Sequence, residues 1–379
     1  MFLRKNDFLK KVRYKIQPLI ILLDSALRLV KFNILFLIQL FKEFSKNRFK
    51  QRSVHFDITH NSKRYLFCLI YFFQENNYYI NISCSPTVLN SLKNDLSSKE
   101  IFNQKNVRLA WSRKPSLNEI YFSDTKVKVE EYNISYNYFN LNSKDIIYRI
   151  PLTFHHQNLM QNNLTLSNIN PNNSSRGVNL FFIGNLTSEF YQNRQLKESF
   201  NVMTRMEAIN TICENFDYTK LLVPNSTKQL YKGFTDKMDI ILCDGKANPV
   251  WNRDYFKLLE QANFFLAASG FIMPQCHNII EAMAAGCIPL IEYGDWFTPP
   301  LEHNVNAIAF KGSEDLVDKI KYILTLTEID IAKLRQGVLD YYENNLTSKS
   351  VIQHILNKGY TKLYLNSEGY SVGLMQKNV

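Results

Sequence analysis

From residue 53 on, short apolar runs alternate with longer stretches whose apolar positions recur every three to four residues. The short runs read as strands and the longer ones as helices. In the first half, "SVHFDIT" (53–59) and "YYINIS" (78–83) are predicted strands on either side of a helix near Lys63–Gln74. "VRLAWS" (107–112) and "EIYFSD" (119–124) add two strands, and "DIIYRIPLTF" (145–154) closes the unit. Residues 155–177 are polar and rich in Asn and Ser, and read as a linker or long surface loop. His155 and His156 have no acidic or Cys neighbour at metal spacing, so they read as solvent-exposed or interdomain histidines.

The second half repeats the pattern more cleanly. Predicted strands are "VNLFFIG" (178–184), "TKLLVP" (219–224), "MDIILCD" (238–244), "NFFLAAS" (263–269), "CIPLIEY" (287–293) and "NAIAFKG" (306–312). Helices are expected over 203–216, 253–262, 277–286 and 313–324, the last opening on a capping-box-like Ser313-Glu314-Asp315. Continuous apolar strands alternating with helices mean a parallel sheet covered on both faces. The expected fold is therefore α/β, two Rossmann-like domains facing a cleft, over 53–160 and 178–345 with a linker at 161–177. A tail at 346–379 is helical in pattern through Leu356.

The first 52 residues break this rhythm. "PLIILLDSALRLVKFNILFLIQLF" (18–41) is long enough to span a bilayer, but Asp24, Arg28 and Lys31 share one helical face. Basic clusters flank both ends, as expected of a helix lying in an anionic bilayer surface. A helix packed on the body with its charged stripe outward, or a true span, would also fit. A secretory signal does not fit, since Asp24 interrupts the apolar core and no small-x-small cleavage site follows. Peripheral attachment at the cytoplasmic face of a membrane is the expectation.

Charge sharpens that picture. The chain carries a net +11, of which residues 1–52, with thirteen Lys/Arg and three Asp/Glu, supply +10. The body is near neutral, so a nucleic-acid-binding role is not expected. The six cysteines show no C-x-x-C spacing and read as reduced, packed thiols.

One acid stands out. In "MPQCHNIIEAMAAGCIPLI" (273–291), Glu281 lies among small and apolar residues that form a helix and then a strand. A buried carboxylate costs several kcal/mol unless something pairs with it. Ligands of open α/β sheets bind where strands lead into helix starts, and the loop "SGFIMPQCHN", with Ser269 and Gly270, is such a place. A helix start offers free N–H groups and a positive dipole end to a diphosphate, and His277 and Asn278 can add donors. Glu281, one turn on and sharing a face with His277, can accept from two adjacent ribose hydroxyls. A half-exposed Glu paired with a local Lys or Arg is the plainer alternative.

The segment "NFFLAASGFIMPQCHNIIEAMAAGCIPLI" resembles the donor-binding segment of GT-B glycosyltransferases, most of all the exostosin-like group. "KANPVWNRDYFKLLEQA" (246–262) continues the likeness, and "LFFIGN" (180–185) resembles the strand and Gly turn, Gly184 with Asn185, that opens the nucleotide-binding domain. The likeness covers roughly 178–325. It implies a transferase moving a sugar from a nucleotide-sugar to a glycan or lipid-linked acceptor in cell-surface polysaccharide synthesis, with the nucleotide-sugar as substrate and no other cofactor. The E-x7-E pattern of many retaining members is absent, because Met273 stands eight before Glu281. Arg is also missing beside His277. Arg194, Lys197, Arg205 or a protonated His277 would then have to neutralise the phosphates. No D-x-D occurs, so a metal-free mechanism is implied and no metal site is expected. An inverting reaction would need a base from the first domain. His60 with Asp57 nearby is the first candidate, Glu130 and Glu131 the fallback. A nicotinamide-dependent oxidoreductase would want G-x-G-x-x-G after an early strand, which neither "IGNLTS" nor "THNSKR" provides. A non-catalytic binding protein with a degenerate site is the other alternative.

Overall fold

The computed structural model of the chain describes residues 52–104, 106–110, 119–125, 132–160, 169–173, 176–187, 194–250, 252–357, 359–360 and 362–377. All of the basic arm except Arg52 lies outside the described residues, as do Glu130, Glu131 and linker residues 161–168 and 174–175.

The first unit runs β1 (Ser53–Ile58), α1 (Arg64–Glu75), β2 (Tyr79–Cys84), α2 (Pro86–Asn94), β3 (Val107–Leu109), β4 (Glu119–Ser123), β5 (Tyr132–Ser135) and β6 (Ile147–Arg149). A short helix, α3 (His156–Met160), starts the passage to the second unit. That unit begins with β7 (Val178–Gly184), α4 (Arg194–Phe200), α5 (Arg205–Asn215), β8 (Leu221–Leu222), α6 (Thr227–Thr235) and β9 (Ile240–Asp244). It continues through α7 (Asn252–Leu259), β10 (Ala262–Leu266), α8 (His277–Ala284), β11 (Ile288–Ile291), β12 (Ile308–Ala309) and α9 (Gly312–Ile323). The chain finishes with α10 (Glu328–Asn345), α11 (Ser348–Asn357), β13 (Lys362–Tyr364) and α12 (Gly369–Lys377).

The strands form two sheets, ordered β3-β2-β1-β4-β5-β13-β6 and β12-β11-β10-β7-β9-β8, and every ladder between them is parallel. The α/β architecture with two Rossmann-like units is thus present. Its cause is visible in β1, β10 and β11, which are buried nearly end to end because helices cover both sheet faces. One continuous apolar core runs through both units. Helix α1 contributes Tyr65 through Ile70, Phe72 and Phe73 to it, being covered by its sheet and by α11.

Two local outcomes differ from the sequence pattern. The tail does carry helices, but its β13 inserts between β5 and β6, which returns the chain to the first sheet. Helix α9 begins at Gly312 after Lys311, and Ser313 does not cap it; instead the Asp315 carboxylate accepts from the Lys311 N–H at 2.7 Å. All six cysteines are free, and Cys68, Cys243 and Cys287 are buried. Among the described residues no helix is long and apolar enough to cross a membrane.

The chain winds to opposite sides of a switch point between β1 and β4 in the first sheet and between β7 and β10 in the second. The loops at these two points define where a ligand of such sheets is held.

Candidate functional site

At the second switch point the loops after β7 and β10 are drawn together by one side chain. Arg205, the first residue of α5 and 4% exposed, donates from Nε to Ser269 O at 3.0 Å and from Nη1 to Asn185 O at 2.9 Å. Its Nη2 reaches Cys276 Sγ at 3.4 Å, and its guanidinium lies over the Phe182 ring. Arg205, expected at the phosphates, thus fastens the loop after β7 to the loop after β10. Ser269 is fixed as well, its hydroxyl donating to Met203 O. Asn185 turns its side-chain oxygen to the Thr187 N–H at 2.8 Å.

Gly184 ends β7, where a Cβ would sit 2.8 Å from the Phe182 ring. Gly270 is under tighter constraint: its N–H donates to Pro274 O at 3.0 Å, and a Cβ there would lie 2.5 Å from Met273 O. This fold of the loop delivers the chain into α8, whose N-cap residue, Cys276, makes no capping hydrogen bond. The first-turn N–H groups are thus not closed by a side chain, as an anion site requires. Gly286, at φ 76, ends the helix where a Cβ would meet Pro171 O at 2.7 Å.

His277 and Glu281 face the first unit. Thr153 O lies 2.7 Å from His277 Nδ1, which fixes the proton on that nitrogen and leaves Nε2 as a lone-pair acceptor, buried and without a partner among the described residues. Burial first, then the Arg64 charge, pushes the pKa of His277 well below the ordinary histidine value. Both effects favour the neutral imidazole over a phosphate-neutralising cation. Among the described residues, Asn278 Oδ1 is a second buried, unpartnered polar atom at the same helix start.

Glu281, 4% exposed, accepts on Oε1 from the His155 N–H at 2.9 Å and from Asn158 Nδ2 at 2.7 Å. Burial pushes its pKa up, and these two bonds act against that. The partner that explains its burial is the start of the interdomain passage, and no Lys or Arg pairs with it among the described residues. His155 is interdomain, its ring 5.4 Å from that of His277 and its pKa held down to about 4, chiefly by burial. His156 is buried and hydrogen-bonds Ser97.

At the first switch point His60 follows β1. It is half-buried, with Nε2 2.7 Å from Ser367 Oγ and its ring 5.0 Å from Tyr136 and 4.4 Å from Tyr370. Burial lowers its pKa, and the nearby Asp124 charge opposes this. The acid beside His60 is thus Asp124, which follows β4 across the switch. Asp124 accepts from the His60 N–H at 3.0 Å, from Thr59 and, at 2.6 Å, from the Tyr136 hydroxyl. Asp57 is within β1, where it accepts from Ser83 Oγ and Tyr121 OH, each at 3.0 Å.

The returning C-terminal segment joins the two points. Asn366 reaches Met273 Sδ at 3.1 Å, Ser367 meets His60, and Glu368 pairs with Lys63 at 3.2 Å and Arg64 Nε at 3.1 Å. Arg64, the first residue of α1, extends its charge to Cys276 and His277 at the start of α8. Arg64, Asp124 and Ser367–Tyr370 escape a sequence reading, because pairing between residues far apart in the chain leaves no local pattern. Arg194 opens α4, but its side chain lies outside the described residues. Lys197 is exposed and pairs with Glu207 at 3.1 Å. Among the described residues no group of three or more His, Cys, Asp or Glu is arranged to hold a metal ion.

No family model matches the chain, and no curated protein matches it. Solved structures similar to it include Anabaena Alr3699/HepE in complex with UDP, at 11% identity over 81% of this chain and 99% of that one, with a TM-score of 0.46. A glycosyltransferase from Rickettsia africae is similar at 10% identity over 82% of this chain and 98% of that one, TM-score 0.44. The N-terminal domain of Candida albicans trehalose-6-phosphate phosphatase is similar at 9% identity over 82% and 97%, TM-score 0.41.

Proposed function

We propose that the chain is a GT-B glycosyltransferase of the exostosin-like kind, which moves a sugar from a nucleotide-sugar to a glycan or lipid-linked acceptor. The observation that carries this reading is the meeting of the two switch points across residues 366–370, with a neutral histidine on one side and an uncapped helix start on the other. In this scheme the donor diphosphate lies on the N-terminus of α8, with Arg64 of the first unit supplying the countercharge. His277 Nε2 and Asn278 Oδ1 accept from hydroxyls of the donor. His60 Nδ1 or Nε2 takes the proton of the acceptor hydroxyl, whose oxygen bonds to the anomeric carbon as the nucleoside diphosphate leaves. Burial, against the opposing Asp124 charge, favours the unprotonated His60 that can take up this proton. The helix dipole and Arg64 together meet the leaving-group charge without a divalent ion.

The arm at 1–52 would keep the enzyme at the cytoplasmic face, on anionic lipid, where cell-surface polysaccharide precursors are displayed. The test is consumption of a panel of UDP-, GDP- and CMP-sugars by the full chain in EDTA, with vesicles containing anionic lipid. One donor should be turned over, and Arg64→Met should slow it about a hundredfold, the scale of losing one charged transition-state contact. Failure of every donor, with and without acceptor extracts, would sink the reading.

A further inference from the structure

We propose that Tyr370 is a saccharide platform on which a pyranose ring of the acceptor stacks, on the ring face that His60 does not cover. The proposal rests on the transferase reading above and names the chemistry of its acceptor side. Tyr370 is 49% exposed, yet two aromatic rings hold it in place. It lies tilted at 31° over the His60 ring, 4.4 Å away, and edge-on to Tyr136 at 5.8 Å. Its N–H closes a turn onto Ser367 O at 3.1 Å. The ring is fixed from below and behind while half of it faces water.

The surroundings decide what it holds. The Ser367 hydroxyl and the His60 imidazole lie on one side, and the Lys63–Glu368 ion pair borders the same turn. Ile272, 39% exposed, approaches from the second unit, its Cγ2 4.0 Å from where a Cβ on Gly369 would be. A pyranose has an apolar C–H face and a hydroxyl rim, which fit an aromatic face ringed by hydrogen-bonding groups. A lipid chain would want a continuous apolar groove, and charged Lys63, Arg64 and Glu368 interrupt it here. The turn is also preorganised: Lys63 at φ 48 and Glu368 at φ 50 are non-glycine residues in the left-handed region. Such backbone is strained and persists where neighbours over-determine it, here through the ion pairs that Glu368 makes with Lys63 and Arg64.

The test is binding of the full chain to an array of mono- to tetrasaccharide glycosides of glucose, galactose, mannose, rhamnose and N-acetylglucosamine. The unmodified chain should bind a subset. Tyr370→Ala should weaken that binding about tenfold, the loss of roughly one aromatic contact, and Tyr370→Trp should keep it. The melting temperature, read alongside, should move little, as for a surface substitution. Equal binding by Tyr370→Ala, no glycan binding at all, or displacement of the glycan by free uridine would each overturn the platform. If Tyr370-dependent glycan binding is found but no nucleotide-sugar is ever consumed, the transferase reading falls and the platform stands. Consumption of donor without Tyr370-dependent binding does the reverse.

Discussion

The two switch points are built from opposite materials. Around His60 the groups that matter are side chains: an imidazole, the Asp124 carboxylate, the Tyr136 and Ser367 hydroxyls and the Tyr370 ring. Around α8 they are backbone and small residues, with Gly184 and Gly270 where no Cβ fits and Arg205 consumed in holding loop carbonyls. Under the proposed reading, this difference is what a transferase would need. An acceptor hydroxyl has to lose a proton, which requires a titratable group. A diphosphate leaving with two electrons requires fixed N–H dipoles that do not have to move.

The comparison is broken most directly at His60. His60→Ala should lower sugar transfer about a thousandfold, within the range set by removal of a general base. Donor binding, followed as protection against thermal unfolding by the nucleoside diphosphate, should persist. If more than a tenth of transfer survives, the proton leaves by another group and the first switch point is only a scaffold.

The second test asks whether Glu281 belongs to the donor or to the frame. Glu281→Ala leaves the His155 N–H and Asn158 without their acceptor in a buried place. It should lower unfolding free energy by about 3 kcal/mol, whereas Glu281→Gln, which keeps a carbonyl oxygen, should lose less than about 1 kcal/mol. Urea unfolding measures both. An alanine variant that unfolds like the unmodified chain yet loses donor binding would return Glu281 to the ribose.

Much of the frame was legible in the chain itself. The apolar runs at 178–184 and 238–244 announce doubly covered strands, and β7 and β9 lie there. β5 and β13, with four and three residues, are too short to show a period, and their places in the sheet depend on distant neighbours. The loop–helix start at 269–278 stands out as a candidate site because small residues and a lone acid are odd in an apolar helix. What the oddity meant was less visible. An arginine looks the same in sequence whether it meets solvent, a phosphate or three buried loop atoms, so Arg205 could not be assigned to the last. Asp57 and His60 are close in sequence, but β1 turns Asp57 toward Ser83 and Tyr121, and the acid at His60 arrives from β4.

The smallest expected effect is a pH dependence between the two switch points. His155 has a folded pKa of about 4 against an ordinary 6.5, so the fold holds it neutral. A lowered histidine contributes stability that is complete above pH 6.5 and is lost as pH falls toward 4, because the unfolded chain then binds the proton more readily. His277 is displaced the same way, its imidazole facing Arg64, His155 and His156. Glu281, with its pKa raised, acts in the opposite sense: its contribution is complete below 4.5 and is lost as pH rises through the raised value. The melting temperature should therefore fall by a few degrees between pH 7 and pH 5, a modest change because His155 is partly screened by solvent. His155→Asn keeps the backbone N–H that Glu281 accepts and removes the titrating ring, so its melting temperature should fall less over the same interval. Glu281→Gln should fall more, having lost the group that favours acid. Parallel curves for all three chains would mean that the join between the units does not titrate, and that the neutral histidines there are held by packing alone.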